Sequence, residues 1–131
     1  MSKDSEFNND NKFDIDLKVG QSYEESLAKI LRFGKVEVKT EIDTWRHTGN
    51  IAIEIRCRGK LSGLSVTEAD YWAHILSYSG FIKTVLIFPV GDLKRIIKTL
   101  KRKNKLKLIM GGDGNQSELA LLPLNQITDL L

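Results

Sequence analysis

Four side chains in the middle of the chain have the types and spacing that metal-assisted phosphodiester chemistry uses. Lys39, Glu41 and Asp43 alternate through Val36-Glu-Val-Lys-Thr-Glu-Ile-Asp43, and Glu54 stands in Ile51-Ala-Ile-Glu-Ile-Arg56. Side chains alternate with period two along a β-strand. Val36, Val38, Thr40 and Ile42 therefore share one face, and Lys35, Glu37, Lys39, Glu41 and Asp43 share the other. In the second segment Ile51, Ile53, Ile55 and Cys57 share a face, opposite Glu54, Arg56 and Arg58. The segments read as a hairpin across a polar turn, Thr44 to Gly49, with Asp43 near Glu54 and Lys39 near Arg56 or Arg58. Hard carboxylate oxygens on such a face can hold Mg²⁺ with several waters still bound. The metal activates water, and a lysine orients it or neutralises developing charge. A solvated sheet face with neighbouring opposite charges fits the same pattern, and both readings stand at this point.

A further carboxylate comes from the preceding element. Gly20 and Ser22 open a predicted helix that runs to about Arg32, with Ser22 and Glu25 as a capping box and Gly34 as the stop. Tyr23, Leu27, Ala28, Ile30 and Leu31 form its apolar stripe. Glu24 precedes Leu27, Ala28 and Leu31 by three, four and seven residues, so it either points inward along that stripe or flanks it and reaches out to solvent. An inward carboxylate is costly unless paired or bound to metal.

The whole chain has 131 residues, 41% hydrophobic and 28% charged, which suits one globular domain with a real core. No apolar run approaches the roughly 20 residues that span a bilayer, and no apolar signal core is visible at the N-terminus. One cysteine, Cys57, excludes an internal disulfide framework and a cysteine-rich zinc site. A reducing, intracellular setting is the expectation. Net charge is only +3, but Lys94 to Lys107 holds eight bases and no acid. That polarity suggests a polyanionic partner.

Residues 1–12 read as a polar arm and 13–131 as a single domain, with Phe13, Ile15 and Leu17 as an extended lead-in. After the hairpin, Ser65 and Glu68 suggest another capping box and a helix to about Ser77, with Trp72 in its core stripe. Lys83 to Phe88 reads as a central buried strand. Asp92 caps a helix with apolar Leu93, Ile96, Ile97 and Leu100 and a basic remainder, including Lys94, Lys98, Lys101 and Arg102. Leu106 to Met110 and Leu119 to Leu124 read as strands, and Asn125 to Leu131 as a terminal turn or helix. The sum is a mixed α/β (α+β) layer structure.

The order of these pieces resembles the PD-(D/E)XK nuclease superfamily, and within it small phage-type endonucleases similar to Holliday-junction resolvases. The resemblance covers roughly Gly20 to Trp72. It rests on Gly20-Gln-Ser-Tyr-Glu24, Val36-Glu-Val-Lys-Thr-Glu41, Thr48-Gly-Asn-Ile-Ala-Ile-Glu54, Gly59-Lys-Leu-Ser-Gly63 and Ala69-Asp-Tyr-Trp72. It implies a restriction-endonuclease-like core, a central mixed sheet flanked by helices. It implies a Mg²⁺-dependent endodeoxyribonuclease, with Mn²⁺ as a substitute, acting on branched DNA as a homodimer in the cytoplasm of a bacterial or phage-infected cell. Glu24, Asp43 or Glu41, and Glu54 would bind metal, and Lys39 would assist. Arg46, Arg56, Lys60, Ser62, Lys94, Lys98, Lys101 and Arg102 would meet DNA. The family's Glu-x-Lys ends here as Glu54-Ile55-Arg56, so Lys39, Arg56 or Lys60 must take the lysine's part. Arginine is a permanent cation and a poor proton shuttle. A homing or repair endonuclease, and a DNA-binding protein that has lost catalysis, remain the alternatives.

Overall fold

In the computed structural model the backbone of residues 10–131 and the side chains from residue 17 onward are described. The chain divides into two compact units, Met1–Gly34 and Lys35–Leu131.

The first unit contains one helix, α1 (Asp10–Phe33). It begins well before the expected start at Ser22, which is a mid-helix residue whose carbonyl accepts the Ser26 hydroxyl at 2.9 Å. The segment around Phe13, Ile15 and Leu17 is helical rather than extended. Once a helix is nucleated, each further residue adds a hydrogen bond, and this outweighs a three-residue alternation. Of the expected arm, residues 1–9 lie outside the described part, and residues 10–12 are helical. Tyr23, Leu27 and Leu31 are exposed, and so is Glu24. The inward direction expected for Glu24 is therefore not found. Gly34 ends the helix, its N–H reaching the Ile30 carbonyl at 2.8 Å.

The second unit carries two sheets. Its elements are β1 (Val36–Ile42), α2 (Thr44–Thr48), β2 (Asn50–Cys57), β3 (Lys60–Leu61), β4 (Tyr71–Tyr78), β5 (Phe81–Pro89), α3 (Val90–Arg102), β6 (Lys107–Gly111), β7 (Ser117–Pro123) and α4 (Ile127–Leu130). The three-stranded sheet has the order β1-β4-β5, and the four-stranded sheet β3-β2-β7-β6. The fold is thus mixed α and β.

The expected hairpin does not form, because β1 and β2 lie in different sheets. The connection that was to be a tight turn is instead the helical turn α2. Asp43, at φ +60°, donates its N–H to the Ser77 carbonyl, and the Trp45 indole N–H donates to the same oxygen at 2.6 Å. The chain is tied at this point to β4, which β1 joins in parallel from Val36 opposite Tyr71 to Ile42 opposite Ser77.

β4 itself replaces the helix expected after Ser65; a short 3₁₀ turn, Gly63–Ser65, precedes it. Ala69, Trp72, Ala73 and Leu76 have helical spacing, but Trp72, His74 and Leu76 also alternate. The strand prevails because its backbone is paired on both sides, by β1 and by β5. β5 covers the expected Lys83–Phe88 run, as an edge strand rather than a central one.

The faces of β1 are also reversed. Val38 and Ile42 are exposed, while Glu37 and Glu41 are half-buried. Opposite Glu37, Lys39 and Glu41 in register, Trp72, His74 and Leu76 are buried on β4. The acidic and basic face of β1 therefore continues the core-facing side of its sheet. The core joins Trp72, Leu76 and Phe88 to Ile51, Ile53 and Leu122 of the other sheet and to Leu93, Ile96 and Leu100 of α3. Each such side chain contributes about 1.5–3 kcal/mol on burial. α3 follows the expected apolar spacing, although Pro89 rather than Asp92 precedes its first turn. β6, β7 and α4 lie close to their expected places. No helix among the described residues is long and apolar enough to cross a membrane.

Candidate active site

Strand β1 delivers Lys39 and Glu41, β2 delivers Ala52 and Glu54, and β4 delivers Trp72 and His74. With Thr40 and Leu119 these line one cavity of about 260 Å³ in the second unit. The two sheets meet here through a side chain. Glu41 Oε1 accepts the Ala52 backbone N–H, on a part of β2 that β3 leaves unpaired. A carboxylate that takes a strand N–H supplies the acceptor a neighbouring strand would have given.

The same oxygen of Glu41 lies 3.0 Å from His74 Nε2. On the far side of the ring, the Trp72 indole N–H donates to His74 Nδ1 at 3.1 Å. Both Trp72 and His74 are 1% exposed. Glu54 is held in another way: its Oε1 accepts the Ser117 hydroxyl at 2.6 Å. Each carboxylate is thus held through Oε1, and among the described residues no hydrogen bond engages Oε2 of either. Lys39 is 3.9 Å from Glu37 Oε2. At that distance and half exposed, the pair contributes little and leaves the ammonium free to turn.

A bulge decides which neighbours Glu54 has. β2 opposes β7 antiparallel, with Glu54 opposite Leu119 and Arg56 opposite Glu118, so Ile55 is the extra residue. An inserted residue re-aims the side chains beyond it. Leu119 lines the cavity with Glu54, whereas Arg56 and Glu118 line a different one. The shared face expected for Glu54 and Arg56 is broken, and Lys39 is the cation that stands beside Glu54's cavity. Gly63 supports the bulge from outside. Its φ is +53°, and a Cβ there would overlap the Glu54 carbonyl.

The other expected acids are elsewhere. Asp43 is exposed, its Oδ1 accepting the Ser79 N–H at 3.1 Å at the end of β1. Of the two acids that could have filled the motif position, Glu41 is the one in the cavity. Glu24 belongs to α1 in the first unit, and the cavity is built by the second.

The expected DNA contacts divide into groups. Lys94, Lys98 and Lys101 of α3 join Arg56 around a cavity of about 410 Å³ floored by Ile55, Leu61 and Leu64. Arg102 is exposed at the end of α3, and Lys60 is exposed at the start of β3. Arg46 stacks its guanidinium 4.3 Å from the centre of the Tyr78 ring. Ser62 differs, since its Oγ is buried without a hydrogen-bond partner and does not face solvent.

The sequence reading missed His74 and Ser117. The alternation Trp72, His74, Leu76 was the available signal for the first, and nothing local marks the second.

Among the described residues, no three His, Cys, Asp or Glu side chains are grouped closely enough to enclose a metal ion. The donor set of the cavity is two carboxylates. Hard oxygen donors in that number fit Mg²⁺ or Mn²⁺, which keep several waters and take only one or two carboxylates. No family model, curated protein or solved structure matches the chain.

Proposed function

We propose that the chain is a Mg²⁺-dependent DNA endonuclease of the PD-(D/E)XK type with a restriction-endonuclease-like core, acting on branched DNA as a homodimer. The observation that carries this reading is the convergence of Lys39, Glu41 and Glu54, from two different sheets, on one cavity. Glu41 and Glu54 are the residues that would hold the metal. The bound ion would supply an activated water and charge stabilisation at the leaving oxygen. Lys39 neutralises charge developing on the scissile phosphate. The phosphorus gains the water oxygen, the P–O bond to the departing strand breaks, and the water's proton ends on the departing oxygen. Arg56, Lys94, Lys98 and Lys101 contact backbone phosphates, which positions DNA without reading sequence. Two symmetric cuts at a junction require two such sites, hence the dimer.

A second reading is a DNA-binding protein without catalysis. It is favoured by Arg56, which stands where the resemblance calls for lysine. Cleavage of a four-way junction, linear duplex and single-stranded DNA, each with Mg²⁺ or EDTA, separates the readings. Mg²⁺-dependent junction cutting supports the endonuclease. Cutting of one duplex sequence favours a homing or repair enzyme. Binding without cutting any of them supports the second reading.

A further inference from the structure

The buried pair Trp72 and His74 has no part in the chemistry above, yet it is aimed at Glu41. Indole N–H is a donor only. Its contact with His74 Nδ1 at 3.1 Å therefore makes Nδ1 an acceptor. In a neutral imidazole the proton then sits on Nε2, 3.0 Å from Glu41 Oε1. Turning the ring over would set a C–H against the indole N–H and another against the carboxylate. One tautomer and one ring orientation satisfy both neighbours.

We infer that Trp72 and His74 form a hydrogen-bond relay that commits Glu41 Oε1 to the protein and presents Oε2 to a divalent cation. They are positioning residues, and the inference rests on the metal-dependent reading given above. Three features support it. First, Oε1 takes two donors, the His74 ring and the Ala52 N–H. Second, Trp72 and His74 are both buried, each 1% exposed. Third, Glu54 shows the same arrangement with a simpler partner, the Ser117 hydroxyl on its Oε1. Two carboxylates each pinned by one oxygen are pre-organised for single-oxygen ligation. Partners of this kind orient a ligand, and their loss typically costs about 10- to 100-fold in metal affinity.

The test is titration of Mn²⁺ alone into the full chain, followed by calorimetry, for the wild type, Trp72→Phe, His74→Leu and His74→Gln. Circular dichroism checks that each variant folds. The relay predicts that Trp72→Phe and His74→Leu each bind Mn²⁺ about 10- to 100-fold more weakly. His74→Gln retains most of the affinity, because a glutamine amide offers one acceptor to Trp72 and one donor to Glu41. A purely packing role predicts the reverse order, with the apolar His74→Leu tolerated best. Nitrogen NMR of the wild-type His74 ring gives a second readout that needs neither metal nor a variant. The expected signature is a protonated Nε2 and a bare Nδ1. Folded Trp72→Phe and His74→Leu that bind Mn²⁺ as tightly as the wild type overturn the relay, as does a protonated Nδ1. A wild type that shows the expected tautomer but binds no Mn²⁺ overturns the metal-dependent reading instead, and the relay's role with it.

Discussion

At the scale of single residues, the cavity makes unequal demands on its acids. Glu41 is held by β4 and β2 together, whereas Glu54 hangs on one serine hydroxyl. Ser117→Ala frees Glu54 Oε1 without touching Glu41, the other proposed ligand. Mg²⁺-dependent cleavage should fall about tenfold, read as a rise in the Mg²⁺ concentration for half-maximal rate. Gly63→Ala acts on the same residue through the backbone. It combines a left-handed φ with overlap at the Glu54 carbonyl, so urea unfolding should show a loss of about 2–4 kcal/mol. Lys39, Glu41 and Glu54 were legible as candidates because alternation places side chains on faces, whereas Asp43 and Glu24, offered on equally local grounds, do not line the cavity. His74 was not, since its meaning depends on a carboxylate 33 residues away. Nor could alternation choose between Glu41 and Asp43, because it does not show that β1 ends at Ile42 and that Asp43 turns away at φ +60°.

At the scale of elements, α3 was the clearest part of the sequence and is the clearest part of the core. Leu93, Ile96 and Leu100 fall on the predicted stripe and are buried. Ile96→Ala leaves a cavity under a fully buried position and should cost about 3 kcal/mol in the same unfolding experiment. The segments of β1, β2, β5, β6 and β7 were legible, but not the pairing of β1 and β2. A short polar link suggested that β1 and β2 were neighbours; the contacts that separate them, from Asp43 and Trp45 to Ser77, lie outside any local pattern. β4 was misread because Ala69, Trp72, Ala73 and Leu76 satisfy a helical period as well as a strand satisfies Trp72, His74 and Leu76. The Ile55 bulge was invisible for a related reason. A strict period of two assumes that no residue is inserted, and one inserted residue reassigns Arg56.

At the scale of the whole molecule, a net charge of +3 conceals a local excess of bases, eight from Lys94 to Lys107 with no acid. Arg56, Lys94, Lys98 and Lys101 surround one cavity, with Glu118 as its acid. Lys98→Glu with Lys101→Glu should weaken DNA binding across all sequences. Each lost phosphate contact should reduce the slope of log affinity against log salt by about one. Sedimentation of the free chain and of its junction complex should show two copies in the complex. The central claim is that Lys39, Glu41 and Glu54 together hydrolyse DNA, and it is tested most directly by comparing wild type with Glu54→Gln on a four-way junction. Junction binding should persist in the variant while Mg²⁺-dependent cutting falls by more than about 100-fold. Cutting at the wild-type rate by a folded Glu54→Gln variant would contradict the account, and so would a wild type that binds the junction and never cuts it.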